Sequence, residues 1–203
     1  MTDETNSTLE NDYVVEASKQ ADAVFELVEI CAQSIVFVAF IVGFIFRFST
    51  VSGNSMRDTL YNGDHMFIWQ YDYKPSAGDI ITIRKNGDLD ETIVKRVIAT
   101  EGESFYLDAP AGKVYVNGKQ LDEPYIKEPM REMFYEHGNT DLPPVVPEGC
   151  CIALGDNRNH SSDSRDKSIG VIKNKNIIGK AKFITFPFYR MRKLESIRQY
   201  VNG

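Results

Sequence analysis

Positive charge is almost missing from the first 29 residues, where Lys19 stands alone against eight acids. A cleaved secretory leader normally opens on a basic segment, so this composition argues against one. Cysteine is scarce, with three in 203 residues. Cys31 lies in an apolar run and Cys150 and Cys151 are adjacent, so the odd count without spaced pairs argues against a disulfide framework. Neighbouring residues of a strand face opposite ways, which makes two free thiols a better reading than a vicinal bridge. His65, His137 and His160 are scattered, with no ligand-like spacing to one another or to the cysteine pair. No metal and no cofactor are expected. Internal repeats and low-complexity tracts are absent. With 26% charged residues and a mean hydropathy of −0.30, the chain is neither a multi-span transporter nor a disordered or collagen-like polymer.

The net charge of −6 is unevenly spread. Residues 1–29 carry net −7, and residues 173–203 hold eight bases and one acid. The acidic leader shows no apolar period and is expected to lack fixed structure. From Ile30 to Phe46 the run ICAQSIVFVAFIVGFIF is uncharged over 17 residues, and as a helix it spans roughly 25 Å. A retained transmembrane anchor over 30–48 is the favoured reading. A buried core helix or the apolar core of a cleaved leader are the alternatives, but no small-x-small motif follows. By the positive-inside rule the acidic leader would lie outside and Arg47 inside, a weak vote because acids count little there.

Beyond the span the period becomes two. DHMFIWQY, GDIITIR, ETIVKRVIAT, KVYVNGKQL, CCIALGD and IIGKAKFITF read as short strands divided by turn-forming stretches. Such spacing predicts a mainly β, antiparallel catalytic domain over 49–190. A small β subdomain or flap is inserted at about 102–147, and its middle, from about Pro124 to Pro147, has little strand pattern. Residues 191–203 form a basic tail. The wider stretch FPFYRMRKLESIRQY suits anionic lipid headgroups better than nucleic acid, because nothing resembles a nucleic-acid module.

Three clusters carry chemistry. SGNSMRDTL, Ser52 to Leu60, follows the apolar run so closely that Ser55 must lie near a bilayer surface if the run is a span. Taken alone, its Gly-x-Ser turn is an ordinary turn. In a strand through Thr92–Ile98, Lys95 shares a face with Ile93 and Val97, and Arg96 shares the other with Val94 and Ile98. Neither face is polar, so one cation must sit beside hydrophobic side chains unless both snorkel to water. Desolvation lowers an ammonium pKa and equips a lysine to act as a base, whereas arginine stays protonated. If one of the two is catalytic, it is Lys95. The third cluster, GDNRNHSSDSRDKSIG (Gly155 to Gly170), packs Asp156, Arg158, Asp163, Arg165 and Asp166 into a turn-rich loop, where carboxylate–guanidinium pairs fix geometry.

Together these segments, over roughly residues 30–186, resemble the bacterial type I signal peptidases. The family's S-G-x-S-M-x-P-T-L motif appears as Ser52 to Leu60, its K-R-V strand as Lys95-Arg96-Val97, and its G-D-N-R segment as Gly155 through Gly170, with GDII at Gly78–Ile81 also shared. The resemblance implies a membrane-anchored serine endopeptidase that removes signal peptides from exported preproteins, with Ser55 as nucleophile and Lys95 as general base. It implies supporting roles for Gly53, Arg96, Gly155, Asp156, Asn157, Ser161, Asp163 and Arg165, among them Ser161 orienting the Lys95 ammonium and an Asp163–Arg165 pair that involves Arg96. Met56, Leu60 and Val94 would line pockets for small residues at the first and third positions before the cut.

The implied partners are secreted preproteins and the lipid bilayer, with no nucleic acid. The implied topology is a single pass through the cell membrane, N-terminus cytoplasmic and catalytic domain extracytoplasmic, against the charge vote. The short insert resembles Gram-positive members. Gly53 stands where some members have a serine that donates to the oxyanion, and Asp58 stands where the family has proline. Asp58 would loosen the turn and place a carboxylate near Ser55. A catalytically impaired relative, or one with a dedicated substrate, is therefore the alternative function.

Overall fold

Contiguous apolar residues and good helix formers carry one long helix, α1, from Asp3 to Ile45. The computed structural model describes residues 3–85, 91–131 and 142–201, which form two compact units, 1–44 and 45–203. In the first unit, Asp22–Gly43 is long and apolar enough to cross a membrane. The acidic leader, expected to lack structure, continues the same helix. Glu, Ala, Leu and Lys in it favour the helical state, and extending an existing helix avoids the cost of a new nucleus.

In the second unit, strands β1 (Phe46–Thr50), β2 (His65–Trp69), β3 (Ile80–Arg84), β4 (Thr92–Thr100), β5 (Phe105–Asp108), β6 (Lys113–Val116), β7 (Lys119–Asp122), β8 (Cys150–Leu154), β9 (Ile172–Lys173), β10 (Ile177–Phe186), β11 (Arg192–Lys193) and β12 (Gln199–Tyr200) make two antiparallel sheets. Phe46–Phe48, placed by the sequence at the end of the span, belongs to β1. The larger sheet runs β1-β2-β10-β3-β4-β8-β9, with β11 beside β10. The smaller runs β12-β7-β6-β5. Its β6–β7 hairpin turns at Asn117 and Gly118, whose φ values of 52° and 73° meet the left-handed requirement of a two-residue turn. Part of the insert, residues 132–141, lies outside the described residues and includes His137.

In β3, β4 and β8 both faces of the larger sheet are buried, whereas β1 and β10 leave Phe48, Phe183 and Phe186 exposed. On one face Ile81, Ile83, Val97, Cys151, Ala153 and Ile172 pack together. Ile98, Ile152 and Leu154 pack with Phe105, Val114, Val116 and Leu121 of the smaller sheet, and Cys150 joins them. Cys150 and Cys151 thus enter different clusters, and both are free thiols. Met56, Leu60, Met66, Ile80, Ala181, Ile184 and Leu194 form a third cluster. Leu194 belongs to the tail, and the tail is fastened elsewhere too. Arg190 makes two bonds to the Asp64 carboxylate (2.9 and 3.1 Å), Arg192 donates to Thr59 O (2.6 Å), and Arg198 pairs with Glu103 (2.6 Å). The shared GDII segment contributes Asp79, whose carboxylate accepts from Tyr73 (2.7 Å), Lys180 and Ser196. The tail arginines named here have acceptors inside the protein rather than forming a free basic arm.

Candidate active site

Ser55 lies in the segment between β1 and β2. Two backbone bonds close that segment into a loop: Val51 N–H donates to Asp64 O (2.8 Å) and Gly63 N–H to Val51 O (2.9 Å). Met56 and Leu60, almost wholly buried, anchor it in the core. The Gly53 N–H is taken by Asn62 Oδ1 at 2.9 Å. From the other side Asn157 holds the loop, its backbone N–H donating to Ser55 O (2.9 Å) and its side-chain amide to Asn54 O (3.0 Å).

Lys95 stands on β4 opposite Ile81 of β3. On its other edge β4 pairs with β8 only from Arg96, opposite Leu154, onward. The chain leaves the sheet at Gly155, and the opening beside Lys95 is where the Ser55 loop sits. Lys95 is 3% exposed, and its Nζ lies 2.7 Å from Ser55 Oγ. Burial is the main force pulling its pKa down, to about 8. Asp163 and Asp156 oppose that pull and Arg165 assists it. Asp58 is exposed and accepts from the Tyr61 hydroxyl (3.4 Å), and it is not among these charges. A buried amine of lowered pKa against a serine hydroxyl can take that hydroxyl's proton.

Arg96 points to the opposite face. Its Nε and Nη2 meet the two Asp156 oxygens at 2.9 and 2.7 Å, and Nη1 donates to Gly78 O at 3.0 Å. The Thr59 hydroxyl also donates to Asp156, and the Tyr125 ring covers the guanidinium at 4.1 Å. Asp163 is bound by Arg165 through two bonds of 2.7 Å and accepts the Gly155 N–H at 2.8 Å. Burial would raise the Asp163 pKa, but Arg165 and that N–H hold it below the usual carboxylate range. These are two separate ion pairs. The expected association of Arg96 with Asp163 and Arg165 is corrected, because adjacent residues of β4 face opposite ways and Arg96 reaches Asp156.

Two further expectations are revised by position. Ser161 does not hydrogen-bond Lys95. Its hydroxyl is buried on the Asp163 side, where it helps hold that carboxylate ionised, and lies over Gly155. Met56 and Leu60 are core residues with Val94 packed against them, because they close one face of the sheet. The cavity of about 220 Å³ at Ser55 and Lys95 is walled instead by Ile93, Ile169, His160 and the Lys85–Glu91 ion pair. Strand period puts Ile93 on the Lys95 face but gives no reason to single out the others. Among the described residues no cluster of His, Cys, Asp and Glu is arranged to hold a metal.

Gly155 is required by close approach. A Cβ there would collide with the Ser161 side chain and with the Ser55 carbonyl. Gly155→Ala must push the Ser55 loop aside, and a displacement near 1 Å costs on the order of 100-fold in rate. A steady-state kcat measurement is expected to show a loss of at least about tenfold at unchanged secondary structure.

A serine hydroxyl, a lysine buried against it and a loop gripping the serine backbone are the parts of a serine hydrolase. The family model described as "Signal peptidase, peptidase S26" matches residues 24–186. Among similar proteins, signal peptidase I S of Bacillus subtilis is 36% identical over 167 residues, covering 79% of this chain and 88% of its own. Signal peptidase I T of the same organism is 33% identical over 199 residues, covering 95% and 98%. A crystal structure of a signal peptidase I from Enterococcus faecalis aligns with a TM-score of 0.43 at 30% identity, covering 54% of this chain and 98% of that one. The chain belongs to the signal peptidase family, peptidase S26, and within it to the bacterial type I enzymes. It is a serine peptidase.

Proposed function

We propose that the protein cleaves signal peptides from exported preproteins by a Ser55–Lys95 dyad, and that Asp22–Gly43 anchors it in the membrane. The observation that carries this reading is the 2.7 Å approach of Lys95 Nζ to Ser55 Oγ in a buried setting. Neutral Lys95 takes the Ser55 proton as Oγ attacks the scissile carbonyl, and the Ser55 N–H stabilises the oxyanion. The resulting ammonium gives its proton to the leaving amine, which leaves an ester on Ser55. The leaving amine is the new N-terminus of the mature protein, which departs at this point. Lys95 then takes a proton from the water that attacks the ester and returns it to Oγ, so the signal peptide leaves as its acid with Ser55 restored. A cavity of about 220 Å³ with Ile93 and Ile169 in its walls supports small, apolar side chains beside the cut. The acidic leader lies in the cytoplasm and the unit 45–203 on the far side, where preproteins present their cleavage sites.

The test uses the full chain in detergent with a preprotein substrate and follows release of mature product against pH. Below about 8 Lys95 holds its proton and cannot act as a base. The rate should fall about tenfold per pH unit below that value and level off above it. No release of mature product at any pH would reject the assignment, and a rate independent of pH from 6 to 9 would reject Lys95 as the base.

A further inference from the structure

The segment just after β7 is irregular, yet its side chains reach the loop that grips Ser55. Glu123 meets Arg158 in a two-pronged contact, Oε2 to Nη1 at 3.0 Å and Oε1 to Nη2 at 2.5 Å. Both side chains are buried, at 6% and 1% exposure. Arg158 Nε donates to Gly155 O at 3.0 Å, so one guanidinium closes the loop on itself and ties it to Glu123. The Tyr125 hydroxyl donates to Glu123 at 3.0 Å while the Tyr125 ring covers Arg96. Further along, Lys127 N–H donates to Asp156 O (3.2 Å), the Asn159 amide donates to Pro129 O (3.1 Å), and Arg131 N–H donates to Asn159 Oδ1 (2.9 Å).

We propose that residues 123–131 act as a latch on the catalytic loop, with Glu123 a positioning residue that acts through Arg158. The inference rests on the Ser55–Lys95 reading above. Its physical basis is that the loop has little regular structure of its own. Past Gly155 it has one short 3-10 helix, Arg158–His160, followed by turns, and its inner edge carries the Asn157 bonds to Asn54 and Ser55. A loop bonded only on that edge would let the Ser55 carbonyl drift. Arg158 is one outer attachment, beside the hold of Arg96 on Asp156, and a buried guanidinium stays in place only where a carboxylate meets it. Glu123 supplies that carboxylate from outside the three motifs.

The experiment measures kcat, KM and the pH profile of the full chain in detergent with an internally quenched signal-peptide substrate bearing alanine at the first and third positions before the cut. Glu123→Gln keeps the shape and removes the charge. Glu123→Ala and Arg158→Ala remove each partner, and the double variant completes a cycle. Each alanine variant is expected to lose about tenfold in kcat with KM within about twofold, from displacement of the Ser55 loop. The double variant should lose no more than either single one, because the two act as one unit. A loosened loop also admits water to Lys95, which faces Asp163, Asp156 and Arg165, so the acid limb of kcat/KM should move to higher pH. Thermal midpoints report folding, and Glu123→Gln serves if an alanine variant does not fold. A folded Glu123→Gln chain with the parent's kcat and acid limb, or additive losses in the double variant, overturns the latch. An inactive parent chain would instead reject the dyad reading.

Discussion

Replacing Lys95 by alanine should lower kcat by roughly 10,000-fold while leaving the protein folded. In the proposed dyad Lys95 is the base, its Nζ 2.7 Å from Ser55 Oγ, and without it the hydroxyl would keep its proton at neutral pH. The stability effect runs the other way from most core substitutions. Burial disfavours the ammonium, so removing it relieves a desolvation cost, offset in part by the loss of its attraction to Asp163 and Asp156. The thermal midpoint should hold or rise. Lys95→Arg should be as inactive as Lys95→Ala, because a guanidinium does not deprotonate in this range. Cleavage within tenfold of the parent by either variant would remove Lys95 from the chemistry.

Asp156→Ala should be the most damaging single change to stability. The carboxylate holds two nitrogens of Arg96 and the Thr59 hydroxyl, with Arg96 and Asp156 at 1% and 0% side-chain exposure. Its loss strands a guanidinium away from water, which costs about 3–5 kcal/mol. For a chain of this length that is a drop of roughly 10 °C or more in thermal midpoint. The companion variant Arg96→Met/Asp156→Leu removes both charges and should recover most of the loss, since a well-packed apolar pair replaces a buried ion pair at little net cost. Its activity should stay low, because Asp156 also carries the loop that grips Ser55. A midpoint for Asp156→Ala within 2 °C of the parent would show that the pair bears little of the stability.

Much of the larger sheet was legible, because its strands alternate in short runs between turn-forming stretches. Lys95 and Arg96 on two apolar faces were legible for the same reason, and the free cysteines followed from strand geometry. The partner of Arg96 was not. Asp156 and Asp163 lie in one loop, and only the fold decides which of them comes under which face of β4. Glu123 carried no signal, since an acid in an aperiodic stretch looks solvated until its guanidinium partner is brought beside it. Met56 and Leu60 were read as pocket walls from their nearness to Ser55 along the chain. In a turn, residues one and five positions on can point into the core, and both do.

Strands β2 and β3 follow one another in the chain but are separated in the sheet by β10, whose last residue is Phe186. Ser55 belongs to the β2 side of that insertion and Lys95 to the β3 side. While a ribosome is still making the chain, the first half of the protein therefore holds both reactive groups with nothing to register one against the other. The strand pairing that sets one side against the other waits on β10, which bonds β2 along one edge and β3 along the other. The same wiring makes closure of the sheet a long-range event, and slow folding is the kinetic counterpart of that delay.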